Sequence, residues 1–177
     1  IPFFILAGNL MQAGGISRRL VDFSKTLVGS TTGGLAMVAI VTSAFFAAIS
    51  GSGAATTAAV GAILIPAMVA HGYSASYAAA NQAAAGALGI IIPPSIPLIL
   101  YAISANQSVG DMFLAGFLPG FVVVISLLIY AWIHSRNLQT LPEEPASAAK
   151  ILKAGRSAIL ALLMPTLILG GIYGGVV

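Results

Sequence analysis

Between Lys25 and Asp111 lie 85 residues without one Asp, Glu, Lys or Arg. About 20 apolar residues in a helix span the ~30 Å hydrocarbon core of a bilayer, so this stretch is worth several membrane segments. A soluble domain carries roughly 25% charged residues. This chain carries 6%, with 59% hydrophobic, and could not cover a water-facing surface. The composition predicts an all-α, multi-pass integral membrane protein embedded in a lipid bilayer. So few charged residues also exclude a nucleic-acid binder, and the net charge of +3 says little about partners because so few groups set it. There are no Cys, two His and four acidic residues, which rules out thiolate chemistry and leaves no conventional multi-ligand metal site. No carboxylate or His pair sits in the apolar core for acid–base work. The chain does not read as an enzyme, and no cofactor is expected.

Neither end reads as a natural terminus: the chain opens Ile1-Pro2-Phe3 and stops inside an apolar run at Val177. A fragment of a longer membrane protein is the expectation. Residues 1–15 read as the end of a transmembrane helix that begins upstream. Within 16–33, Ile16, Leu20, Phe23 and Leu27 recur as one helix face, opposite Arg18, Arg19, Asp22 and Lys25. That pattern predicts an amphipathic helix lying in the membrane interface.

The region 34–106 is the unusual one. Two helical runs, Leu35–Ile49 and Ala54–Ala70, flank Ser50-Gly51-Ser52-Gly53. Each is about 22–26 Å long at 1.5 Å per residue, short of the hydrocarbon core. They fit a re-entrant hairpin, or two thin spanning helices that turn at the far surface. A further run from Ala75 to Ala105 is interrupted by Pro93-Pro94-Ser95-Ile96-Pro97. Three prolines in five residues remove three backbone donors, which predicts a broken transmembrane helix. Ser108 to Asp111 resembles a capping box opening a span over 107–134. Residues 135–156 read as a hydrophilic linker, and 157–177 as the start of another span. Counting Lys and Arg in the short loops puts the basic segments in the cytoplasm.

Non-helical backbone survives at membrane depth only where protein or a cavity satisfies it. Half-helix N-termini there suit anionic substrates, and freed carbonyls suit a cation. The candidate sodium and substrate site comprises Ser50, Gly51, Ser52, Gly53, Thr56 and Thr57 with Gly89, Pro93, Pro94 and Ser95. The hydroxyls of Ser50, Ser52 and Ser95 are the candidate sodium ligands. A site without carboxylates suits a monovalent ion, since divalent ions normally demand them. The competing reading of Ser-Gly-Ser-Gly is that small residues merely let helices pack closely.

Three segments carry a resemblance: Pro2 to Met11 followed by Gly14 to Leu20, Phe45 to Ser52, and Gly89 to Pro97. In order and spacing they resemble the large membrane subunit of tripartite ATP-independent periplasmic (TRAP) transporters, over essentially the whole chain. The resemblance implies an elevator-type secondary transporter built as an inverted repeat, this chain holding the first hairpin and first broken helix. It implies uptake of an organic acid, such as a dicarboxylate or sialic acid, with sodium as coupling ion. The implied partners are a small membrane subunit and a periplasmic substrate-binding protein, in the inner membrane of a bacterium or archaeon. The alternative from another class is a channel, or a transporter of the same broad fold that needs no binding protein.

Overall fold

A computed structural model of the chain describes residues 14–136 and 146–174. The expectations for residues 1–13, and for the middle of the 135–156 linker, lie outside the described residues. The described residues form eight helices and no strand: α1 (Ile16–Val28), α2 (Gly34–Ser50), α3 (Gly53–Ala70), α4 (Ala75–Gly86), α5 (Leu88–Ile91), α6 (Ile96–Ser104), α7 (Val109–Ser135) and α8 (Ala148–Tyr173). By length and composition α3, α7 and α8 are each able to cross a membrane. The bent succession from α4 to α6 makes a fourth, with a 41° change of direction at the break.

α2 is the hub. It is apolar all round, the mark of a helix with no solvent face. Leu35, Val38, Ile40, Phe46 and Ile49 are all buried, and the helix packs against α1, α3, α4, α5, α7 and α8. α7 and α8 are peripheral. Their outer faces leave Leu118, Phe121, Leu160 and Leu167 exposed, as suits helices that meet lipid.

Three contacts define one face of the molecule. Gly33, just before α2, lies against Ser135 at the end of α7. The Tyr77 ring, near the start of α4, stacks on His134 with centroids 4.1 Å apart. Arg19 Nη1 on α1 donates to the Ser157 carbonyl of α8 at 3.4 Å. At the opposite end, the Tyr173 hydroxyl closing α8 donates to the Gly110 carbonyl opening α7, at 3.2 Å. The α2–α3 hairpin therefore both starts and finishes at the face that carries the basic residues. α2 has 17 residues and α7 has 27, roughly 26 Å against 40 Å at 1.5 Å per residue. The hairpin tip stops well short of the far end of α7.

Two sequence expectations shift in register. On α1 the buried residues are Ser17, Leu20, Val21 and Ser24, whereas Leu27 is 45% exposed. The small serines turn inward because α1 packs closely on α2 and α8, and close helix contact favours small side chains. The last helix begins at Ala148, inside the stretch read as linker, with the Ser147 hydroxyl accepting from the Lys150 N–H as its cap. Lys150, Lys153 and Arg156 ride on its first turns, where long cationic side chains keep their heads in water while their stems lie on apolar surface. His134 is exposed and stacks on both Tyr77 and Tyr130.

Candidate functional site at a helix junction

α2 ends because Gly51 turns left-handed, at φ 61°, a conformation glycine adopts without the steric penalty of a side chain. Its N–H still closes on the Ala47 carbonyl at 3.0 Å. Ser52 is extended and caps α3, its hydroxyl accepting from the Ala55 N–H at 3.4 Å. The tip is then knitted by hydroxyls. The Ser50 and Thr56 hydroxyls are 3.0 Å apart. Thr56 Oγ1 donates to the Ser52 carbonyl at 2.8 Å, and Ser50 Oγ approaches the same carbonyl at 3.4 Å. Ser50 and Thr56 are buried. Thr57 donates to the Gly53 carbonyl at 2.9 Å.

The break forms in the same manner. α5 ends at Ile92, whose backbone is extended, the region imposed on a residue before proline. Pro93, Pro94 and Ser95 are buried. Ser95 caps α6 by accepting from the Leu98 N–H at 3.4 Å, and its own hydroxyl donates to the Ile90 carbonyl at 2.8 Å across the break. One serine thus bridges the two halves.

The tip and the break are joined directly: the Ile96 N–H donates to the Gly51 carbonyl at 3.1 Å. The remaining contact is glycine on backbone. A Cβ at Gly89 would stand 2.6 Å from the Ser52 carbonyl oxygen and 2.8 Å from the Gly53 nitrogen, and one at Gly86 would collide with Thr57. All ten candidate residues, Ser50 to Gly53, Thr56, Thr57, Gly89, Pro93, Pro94 and Ser95, therefore lie around one junction. The C-terminal ends of α2 and α5, and the N-terminal ends of α3 and α6, all meet there. α7 closes the junction from outside, with Gly116 against the Ile91 carbonyl and Pro93.

A second polar layer lies further along α2, away from the tip. Asn81 Nδ2 donates to the Ala36 carbonyl at 3.2 Å, and Gln82 Nε2 donates to the Ser43 hydroxyl at 3.2 Å. Both pin α4 to α2. Gly61 on α3 leaves room for the Gln82 side chain. The adjacent Thr42-Ser43 pair inside an otherwise apolar run was the available signal.

The chemistry available at the junction is that of hydroxyls, carbonyls and amides. Among the described residues no group of three or more His, Asp, Glu or Cys could hold a metal ion. The Ser50 and Thr56 hydroxyls and the Ser52 carbonyl form a compact set of neutral oxygens, which suits a monovalent cation better than a divalent one. A neighbouring cavity of about 360 Å³ between α2, the break and α7 is lined by Val41, Phe45, Ile92, Phe117 and Phe121, among others. That lining offers an anion no donor.

The family model for the tripartite ATP-independent periplasmic transporter, DctM component, matches residues 1–177. The chain is 46% identical over 177 residues to the C4-dicarboxylate TRAP transporter large permease protein DctM of Vibrio cholerae, covering 99% of this chain and 39% of that protein. It is 45% identical over 177 residues to the isethionate TRAP transporter permease protein DctMQ of Oleidesulfovibrio alaskensis, covering 99% of this chain and 28% of that protein. It is 38% identical over 177 residues to the sialic acid TRAP transporter large permease protein SiaM of Vibrio cholerae, covering 99% of this chain and 41% of that protein. The chain thus spans less than half the length of these relatives.

Proposed function

Since the chain belongs to the DctM-component family of tripartite ATP-independent periplasmic transporters, we propose that it carries half of the transport site of a sodium-coupled organic-acid permease. The family is one of transporters, not enzymes. The substrate class is an organic anion, as in the relatives named for C4-dicarboxylates and sialic acid. The complete protein works with a small membrane subunit and receives its substrate from a periplasmic binding protein, in the inner membrane of a bacterium or archaeon.

One observation carries this reading: the hydrogen bond from Ile96 to Gly51 that locks the hairpin tip into the helix break. It supports a re-entrant hairpin whose tip sits at the depth of the break. Four helix ends there present opposite partial charges, each worth about half an elementary charge. The first four N–H groups of a helix lack intrahelical partners. On α3, the Ser52 hydroxyl takes the Ala55 N–H and the Ser50 hydroxyl takes that of Ser52, which leaves Gly53 and Ala54 to meet a substrate carboxylate. On α6, Gly51 and Ser95 occupy the donors, so the anion binds at α3. Sodium sits among Ser50, Thr56 and the Ser52 carbonyl. Ser52 and Ser95 each keep one free hydroxyl lone pair after capping and complete the set with carbonyls between Gly89 and Pro93. Cation and anion are then neighbours, and each lowers the other's desolvation penalty, which is the physical basis of coupling. An elevator movement would carry the hairpin and broken helix together as one unit.

Uptake of a labelled C4-dicarboxylate into proteoliposomes holding the complete complex tests this reading. Uptake requires both an inward sodium gradient and the binding protein. Uptake that persists without either one describes the channel alternative and refutes the proposal.

A further inference from the structure

The chain has seven Lys and Arg. All but Arg136 lie on α1 or on the first turns of α8, and those two segments pack against each other. Between them is a cavity of about 290 Å³ lined by Lys150, Lys153 and Ser157 of α8 and by Asp22 and Thr26 of α1. Arg19 crosses its edge to the Ser157 carbonyl. With one carboxylate against two ammonium groups in its lining, the cavity carries net positive charge. It lies at the face where both ends of the hairpin emerge, at the polar start of a helix able to cross the membrane.

The α8 face continues in register. Lys150, Lys153 and Ser157 are followed at spacings of three and four by Leu160, Met164 and Leu167, one stripe of a helix. Leu160 is 73% and Leu167 69% exposed. A cationic, hydroxyl-bearing pocket thus opens directly onto an apolar track along the membrane span, with Leu160 and Leu167 outward and Met164 partly buried. A ligand matching both parts has an anionic head and a hydrocarbon tail. Basic pockets between membrane helices on the cytoplasmic side hold anionic lipid headgroups.

We propose that the α1–α8 cavity binds the phosphodiester headgroup of an anionic phospholipid, with Lys150 and Lys153 on the phosphate and an acyl chain along Leu160 and Leu167. The site lies apart from the hairpin tip and does not depend on the sodium reading. Asp22 opposes the anion and tunes its affinity downward.

The test uses the complete permease complex in mild detergent and native mass spectrometry with added phosphatidylglycerol or phosphatidylcholine. A lysine near an anionic lipid is worth about a fivefold change in binding. The wild-type complex retains phosphatidylglycerol in preference to phosphatidylcholine, and Lys150→Gln with Lys153→Gln weakens that retention roughly 25-fold. Asp22→Asn shifts it the other way, severalfold tighter, and so tests the site even if the double variant folds poorly. Unchanged phosphatidylglycerol retention in both variants overturns the proposal. So does displacement by millimolar inorganic phosphate, which marks a free-anion site. Loss of the small membrane subunit from the double variant, with lipid retention intact, identifies a protein contact instead and equally overturns it.

Discussion

Gly89→Ala puts one methyl group between α5 and the hairpin tip. In an isolated helix the change favours folding, because alanine is better than glycine by about 1 kcal/mol in a helix interior. Here the added Cβ stands 2.6 Å from the Ser52 carbonyl oxygen, 2.7 Å from its carbon and 2.8 Å from the Gly53 nitrogen. All three are backbone atoms of the tip, so no side chain can swing aside. Relief requires moving the tip by roughly half an ångström or more, at an overpacking penalty of about 1–3 kcal/mol. That movement stretches the bond from Ile96 to Gly51, now 3.1 Å. The expected net effect is a loss of up to ~2 kcal/mol together with impaired sodium-driven uptake. Thermal inactivation of the complete complex in detergent, alongside uptake in proteoliposomes, reads both. Gly170→Ala on α8, where a Cβ meets nothing within 4 Å, is the control and is neutral or slightly stabilising. If Gly89→Ala behaves like Gly170→Ala in both assays, the tip is not seated on α5 and the junction does not form.

Asn81→Leu removes the bond to the Ala36 carbonyl. Buried hydrogen bonds between membrane helices average about 0.6 kcal/mol, so thermal inactivation shifts by a small, measurable amount while the sodium response stays near wild type. A large change in sodium response would move the ion site toward this layer. Arg18→Cys, at an exposed position of α1, labels with an impermeant maleimide from the cytoplasmic side only. Labelling from the periplasm would invert the orientation of the whole segment.

Much of this architecture is legible in the residues, for physical reasons that differ between elements. The prolines at 93, 94 and 97 force a break, because missing donors cannot be replaced within a helix. The 85-residue uncharged stretch forces the membrane setting. Ser50 to Gly53 marks the tip because small and capping residues gather where helices end. The sequence grouped the tip and the break in one candidate site, but the individual contact pairs were not legible. Nothing local says that Gly89 faces Ser52, or that the Ile96 amide finds Gly51, since these contacts depend on how the hairpin leans on α4 and α5. Thr56 was legible as a site residue, but its pairing with Ser50 one turn into α3 was not. The start of α8 was hidden for another reason. Lys150, Lys153 and Arg156 read as a hydrophilic linker, but at helical spacing they leave Ile151, Leu152 and the capping Ser147 to extend the span. On α1 the apolar stripe indicated the helix correctly, and the choice of Ser17 and Ser24 as inward residues came from its neighbours.

The proposed sodium site lies at the hairpin tip, where it joins the broken helix. The most direct measurement is the sodium dependence of uptake by the complete complex carrying Ser50→Ala or Thr56→Val. Each substitution removes one buried oxygen with little change in volume. An interaction with a charged partner is worth about 1.5–3 kcal/mol, and each 1.4 kcal/mol is tenfold. Half-saturating sodium therefore rises by about tenfold or more in each variant, while assembly with the small subunit persists. An unaltered sodium response in both variants, from protein that assembles normally, would place the sodium site elsewhere.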